Sequence, residues 1–247
     1  MLIPLFRNAM YQLLGLKLEP NIYHNFSTVT AGNMSFRYGE VGSVRHNRAA
    51  FFLALGVQSG KVASAELEHG ETIVRVTKSD VGYGILDNDY KLKADALITN
   101  EPNLYLFHVV ADCASILYFD RNHHAIGLAH SGWRSTNLKL PSQVVTCMTK
   151  EFGTKTQDLV VGIGPSILTC CYAYKKPDQA QYPTWQPYLT IRENGLTYID
   201  NNSYILDQLE AAGVPTEHIY QSGLCTAHDT RFFSHYRDKQ QNQADQG

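Results

Sequence analysis

Three short segments carry side chains suited to metal chemistry: Leu67–Glu68–His69–Gly70, Ala111–Asp112–Cys113 and Ala129–His130–Ser131–Gly132–Trp133–Arg134. Each places a potential ligand at the end of an expected strand. Two imidazole nitrogens and one thiolate sulfur form a borderline-soft donor set that suits zinc. Three protein donors leave the fourth tetrahedral position open, as catalytic rather than structural zinc sites do. An ion held in this way polarises a bound water or a substrate oxygen. Asp112, beside a ligand, is a candidate general base or orienting group. Strand alternation turns neighbouring residues to opposite faces, which favours the orienting role. Arg37, Arg48 and Arg134 are candidates for gripping a phosphate with paired donors.

The spacings alone leave plainer readings open. His69 and Cys113 are 44 residues apart, and Cys113 and His130 are 17 apart, which matches no compact zinc signature. Cys113 and His130 could be core residues, Asp112 a turn residue, Trp133 simple packing, and each arginine a surface ion-pair residue. Cys113 and His130 also read as the nucleophile and base of a metal-free cysteine hydrolase, and His69 discriminates because a dyad does not need it. The vicinal pair Cys170–Cys171 reads as two small buried residues. Gly162–Ile163–Gly164–Pro165 lacks the rest of a dinucleotide fingerprint, and there is no phosphate-binding GxxxxGK[ST] loop and no GxSxG elbow.

The elements that must position these residues are mostly strands. Leu104–Val110, Ser115–Phe119, Ala125–His130 and Leu159–Ile163 are apolar and bounded by turn residues. Asp120–His123 reads as a hairpin turn that would bring Cys113 near His130. Helices are expected over Ala49–Leu55, stopped by Gly56, over Ser142–Phe152, between Pro141 and Gly153, and over Ser203–Ala212, capped from Asn201–Ser203 and ended by Gly213. Asp80–Asp89 reads as a long loop. The pattern implies a mixed α/β (α+β) fold: a single layered domain over residues 1–238 with β-sheets flanked by helices, and a polar, disordered tail over 239–247.

Composition narrows the classes. The chain has 247 residues, 44% hydrophobic and 18% charged, enough to bury one sizeable core. A net charge of -2 offers no basic excess for nucleic acid or an anionic membrane. The five cysteines are odd in number and form no CxxC pair, which points to a reducing compartment. The start through Arg7 does not read as a signal peptide, and no stretch reaches the ~20 apolar residues of a membrane span. A cytoplasmic protein is expected.

In order along the chain, Asn33–Glu40, Asn47–Arg48, His69–Gly70, Asp95–Thr99, Ala111–Cys113, His130–Arg134, Gly164–Ser166, Cys170–Tyr172, Cys225–Thr226 and Phe232–His235 resemble the YfiH-like laccase-domain family. These are multifunctional purine nucleoside phosphorylases once described as multicopper polyphenol oxidases. The Ala-Asp-Cys and His-x-Gly-Trp-Arg segments are the most diagnostic. The resemblance implies zinc ligands His69, Cys113 and His130. It also implies phosphorolysis of adenosine, inosine and methylthioadenosine, with deamination of adenosine at the same site. The partners are then purine nucleosides and phosphate.

Some positions depart from the family pattern. Val29 stands where the family has arginine, the glycine-rich stretch after it is shortened to Thr30–Ala31–Gly32, Ala173 replaces a glutamate, and Tyr236 replaces the first of two arginines. These changes touch the substrate-contacting periphery and leave the three ligands in place. They keep open a role in cell-wall precursor quality control. A copper polyphenol oxidase ranks low, because multicopper sites need more histidines than this triad offers.

Overall fold

The computed structural model describes residues 9–17 and 19–244. The expectation about a leader falls on residues 1–7, outside the described residues. The fold is mixed α/β, centred on a six-stranded sheet. Its strands in chain order are β1 (Ile73–Arg75), β2 (Ala96–Thr99), β3 (Ala114–Asp120), β4 (Ile126–Ser131), β5 (Leu159–Ile163) and β6 (Ile219–Gln221). Across the sheet the order is β6-β5-β3-β4-β2-β1, with parallel pairs at both edges and antiparallel pairs between.

The centre is antiparallel because β3 and β4 form the expected hairpin. The Asp120 carboxylate closes its turn by accepting the amides of Asn122 and His123 at 2.8 and 3.0 Å. The register pairs Ser115 with His130 and Phe119 with Ile126. Cys113, one residue before β3, therefore lies beside the end of β4, where His130 sits.

Helices α1 (Val41–Leu55), α2 (Trp133–Asn137), α3 (Leu140–Phe152), α4 (Asn201–Ala211) and α5 (His235–Ala244) complete the frame. The largest apolar cluster joins α3 and α4 to the sheet through Val144, Met148, Ile205 and Leu209 against Ile98, Ile116 and Ile163. A second cluster gathers Phe51 and Phe52 of α1 with Met34, Val57, Val62 and Ile85. Both α1 and α3 end on left-handed glycines, Gly56 at φ 69° and Gly153 at φ 74°.

Several expectations are corrected. Helix α1 starts eight residues earlier than expected, because the Glu40 carboxylate accepts the amides of Gly42 and Ser43 and so caps it. The cap of α4 is Asp200, which accepts the Ser203 amide at 2.9 Å, and Asn201 lies inside the helix. Only Tyr105–Leu106 of the expected strand Leu104–Val110 pairs, in parallel with Val62–Ala63. Phe107 and Val109 pack on the Phe51–Phe52 cluster instead. The polar tail is helical as far as Ala244, and residues 245–247 lie outside the described residues.

Arg48 is also corrected: it is not an exposed phosphate grip. It is 1% exposed and donates to the carbonyls of Met34 (2.7 Å), Gly84 (2.7 Å) and Ile85 (2.9 Å). Its guanidinium faces the rings of Phe36 and Phe107. The residue pins the Asp80–Asp89 loop to α1. Arg48→Leu is expected to cost about 1–3 kcal/mol for the carbonyls left buried without donors. Urea unfolding measures this loss, and the metal content of the folded variant should not change.

Candidate metal centre

His69, Cys113 and His130 come together: one ligand atom from each lies within 4.8 Å of the other two. A tetrahedral ion with bonds of about 2.0–2.3 Å needs donors spaced about 3.3–3.8 Å apart, so small side-chain adjustments close the set. The His69 and His130 rings meet edge-to-face at 4.6 Å between centroids.

The residue that organises this cluster is Asp95, immediately before β2, to which the sequence reading gave no role. It is 1% exposed. One carboxylate oxygen accepts from His130 Nδ1 at 2.8 Å and from the His69 amide at 3.0 Å. The other accepts from the Gly70 amide at 2.7 Å and the Glu68 amide at 3.3 Å. The Asp95 carbonyl accepts the His130 amide at 2.7 Å. With its Nδ1 proton on Asp95, His130 presents Nε2 to the cluster, which is the usual way a carboxylate fixes a ligating imidazole. The amide contacts also hold His69 at φ 60°, a left-handed backbone that a histidine seldom adopts unaided. Burial alone would raise the Asp95 carboxyl, but the His130 and amide hydrogen bonds hold it below its ordinary value. Asp95 opens a strand that is buried throughout, and a carboxylate buried there must find partners.

Charge at the cluster is shared. Burial pushes the Cys113 thiol up, but the His130 charge and hydrogen bonds from His130 and His69 win and bring it down. Burial pulls His130 down, yet the Cys113 thiolate and the Asp95 hydrogen bond raise it. In the metal-free protein each of the two groups therefore favours the charged form of the other, a thiolate beside an imidazolium. The anionic form of Cys113 is present above its lowered pKa and disappears as pH falls through it. Alkylation of Cys113 by iodoacetamide in metal-stripped protein is expected to show a midpoint below the ~8.5 of a free thiol, and bound zinc should protect it.

Gly132 seals one side of the cluster. A Cβ built there would sit 2.8 Å from Cys113 Sγ and 3.6 Å from His69 Cδ2. Its φ of -72° is open to any residue, so contact and not backbone demands glycine. Gly132→Ala is expected to cost about 1–3 kcal/mol by overpacking. Metal affinity and melting temperature should fall together.

Asp112 stands beside the cluster and outside the ligand set. It lies in a loop at φ 86°, so the strand-alternation argument does not apply to it. Its carboxylate accepts the Thr226 hydroxyl at 2.6 Å and the Tyr236 amide in the first turn of α5 at 2.7 Å. His108, also missed, bonds Ser115 Oγ through Nε2 at 2.7 Å, and burial followed by the His130 charge pulls it down to about 3. Arg134 is exposed, lies over the Trp133 ring at 4.7 Å and comes within 4.0 Å of Asp178. Arg37 is exposed in its loop.

A cavity of about 910 Å³ lies next to this site. Its walls are largely apolar, including Phe26, Met34 and Phe51, and His108, Asp112 and Ser115 line it, whereas His69, Cys113 and His130 do not. It adjoins the cluster through Asp112 and His108 and does not contain it. Among the described residues no helix is long and apolar enough to cross a membrane.

Comparison with known proteins agrees with this architecture. A Geobacillus stearothermophilus protein named "Purine nucleoside phosphorylase YlmD" is 33% identical over 220 residues, covering 84% of this chain and 78% of its own. The crystal structure of YlmD from Geobacillus stearothermophilus superposes with a TM-score of 0.78 at 33% identity, covering 84% of this chain and 80% of that one. The Bacillus licheniformis hypothetical protein YfiH gives 0.77 at 29% identity, with the same coverage of 84% and 80%. Residues 25–244 match the family described as multi-copper polyphenol oxidoreductase laccase, and the chain belongs to that family.

Proposed function

We propose that the chain is a zinc-dependent purine nucleoside phosphorylase acting on adenosine, inosine and methylthioadenosine, with adenosine deaminase activity at the same site. The observation that carries this reading is the convergence of one thiol and two imidazoles, braced by one buried carboxylate. The name carried by the Geobacillus relative supports the phosphorylase part.

The donor set fits zinc: His69, Cys113 and His130 would hold it, with Nε2 of His130 freed by Asp95. Bound there, zinc would act as a Lewis acid on substrate oxygen or water at the open position. Cys113 enters as thiolate, already favoured by its histidine neighbours. Arg134, in the first turn of α2 and two residues after Gly132, is the candidate for holding phosphate against the ribose, and exposed Arg37 is the second. Asp112 has both carboxylate oxygens engaged by Thr226 and Tyr236, so its role is to position the Cys113 loop. Hydrogenphosphate would attack the anomeric carbon as the carbon–nitrogen bond to the purine breaks, and the purine would leave with the proton that the phosphate gives up.

The Cys113–His130 charge pair favours a second reading, the metal-free cysteine hydrolase. One experiment separates the two: metal analysis of the purified protein, with chromatography of adenosine incubated with and without phosphate. About one zinc per chain, with adenine formed only when phosphate is present, supports phosphorolysis, and inosine formed in either condition supports deamination. Turnover that survives complete removal of metal would overturn the zinc reading.

A further inference from the structure

Among the described residues, ligating side chains meet at one further place. Cys170, Cys171 and Cys225 bring their sulfurs within 4.8 Å of one another, and all three are free thiols. Neighbouring residues in a strand would point apart. Here a turn intervenes, closed by the amides of Cys171 and Tyr172 on the Leu168 carbonyl at 3.0 and 2.8 Å. It places the sulfurs of Cys170 and Cys171 3.6 Å apart. Cys225 arrives from a distant loop that pairs with this one through Ser166, where the Thr226 amide donates to the Ser166 carbonyl at 3.0 Å. Cys225 is buried, Cys171 half-buried and Cys170 exposed, so the three sulfurs form a cup with a closed floor and an open mouth.

The floor favours an anion. Cys225 Sγ accepts the Leu168 amide at 3.4 Å. Burial acts against ionisation there, but the Leu168 and His228 amides and the Cys170 thiol prevail and lower Cys225. Burial first, and then its sulfur neighbours, push Cys171 up to about 12. Of the three thiols, Cys225 at the floor is therefore the one whose surroundings most favour ionisation.

The donor set is all sulfur. No histidine or carboxylate among the described residues joins it within the same distance. Structural zinc is normally closed by four protein donors, and this cup supplies three. Thiolates select soft ions such as copper(I). With metal–sulfur bonds of about 2.3 Å, a planar three-sulfur site spaces its sulfurs about 4 Å apart, close to the spacing found. We propose that Cys170, Cys171 and Cys225 form a binding site for a soft monovalent cation of the copper(I) type, separate from the His69–Cys113–His130 centre. Binding forms three metal–sulfur bonds and releases to solvent the protons that the sulfurs still carry, with no change of oxidation state.

The site clamps two loops that also hold Asp112. Thr226, next to Cys225, donates to the Asp112 carboxylate at 2.6 Å. The Ile167 amide, in the Cys170 loop, donates to the Asp112 carbonyl at 2.9 Å. Occupancy therefore ties together the segments that brace the loop carrying Cys113.

The test is an anaerobic titration with copper(I) against a coloured copper(I) chelator, run on the full chain. Cys113→Ala removes the first centre as a competitor, and that folded variant is expected to take up one equivalent. Adding Cys170→Ser, an exposed change that leaves the fold intact, should weaken uptake at least tenfold. Cys171→Ser should do the same. X-ray absorption of the copper-loaded Cys113→Ala protein should show a first shell of three sulfurs, and its melting temperature should rise on loading. No copper(I) uptake by folded Cys113→Ala protein, uptake unchanged by Cys170→Ser, or zinc held at these sulfurs in preference to copper(I) would each overturn the proposal.

Discussion

Replacing His69 with alanine is expected to abolish bound zinc and every activity together. The remaining pair, Cys113 and His130, supplies two donors where a stable open site needs three. Losing an outer partner of a metal ligand typically costs 10–100-fold in affinity or activity, so losing a ligand should cost more than about 100-fold. The fold should survive, because His69 sits in a loop at the rim of the sheet and its amide contacts with Asp95 belong to the backbone. The measurement is zinc content alongside phosphorolysis and deamination rates of the purified variant. Loss of all three in a folded protein fits the proposed centre. Turnover at wild-type rate without bound zinc would instead identify the Cys113–His130 dyad.

Asp95→Asn is expected to give the second largest effect, although Asp95 is not in the ligand set. The substitution keeps the size of the side chain but turns one acceptor oxygen into a donor. The new NH2 must then face either the His130 Nδ1 proton and the His69 amide or the amides of Glu68 and Gly70. Zinc affinity should fall about 10–100-fold. Stability should fall by about 1.5–3 kcal/mol for each charge-assisted hydrogen bond lost. The pH dependence has a defined sign. The folded protein holds the Asp95 carboxyl below its ordinary value. Its contribution is therefore fully present above the unfolded carboxylate pKa of about 3.9 and is lost as pH falls through the lower folded value. In metal-stripped protein, the part of the stability gap between wild type and Asp95→Asn that belongs to the carboxyl itself should be lost only in strong acid. A constant zinc affinity across the substitution would show that His130 is oriented by something other than this carboxylate.

The parts of this site that local rules could reach were legible in the sequence. The β3–β4 hairpin follows from two apolar runs and a turn, and its register alone sets Cys113 beside His130. The β5 strand matched residue for residue, because a short apolar run ending in Gly164–Pro165 has few alternatives. Nothing local indicates that His69 joins them, since its position depends on Asp95 bonding across two loops, and a single acid before a strand looks like any other. Arg48 was misread for a related reason. An arginine on a helix normally faces water, and only the loop that folds over α1 supplies the carbonyls that bury it. The run Leu104–Val110 had the composition of a strand, yet its later residues find better burial against α1 than a ladder partner would give.

The Asp95 link also bears on when the chain can first capture metal. The hairpin carrying Cys113 and His130 closes over a short loop and can form early in folding. His69 joins only when β2 has docked on β4, because Asp95 opens that strand and holds the His69 backbone in place. Docking of that kind brings together residues far apart in sequence and is slow compared with hairpin closure. A partly folded chain therefore presents two of the three donors, and the complete set exists only once the sheet is assembled. Metal loading at the proposed centre would then be a late event that marks a finished protein, since a chain met earlier would lack the third donor.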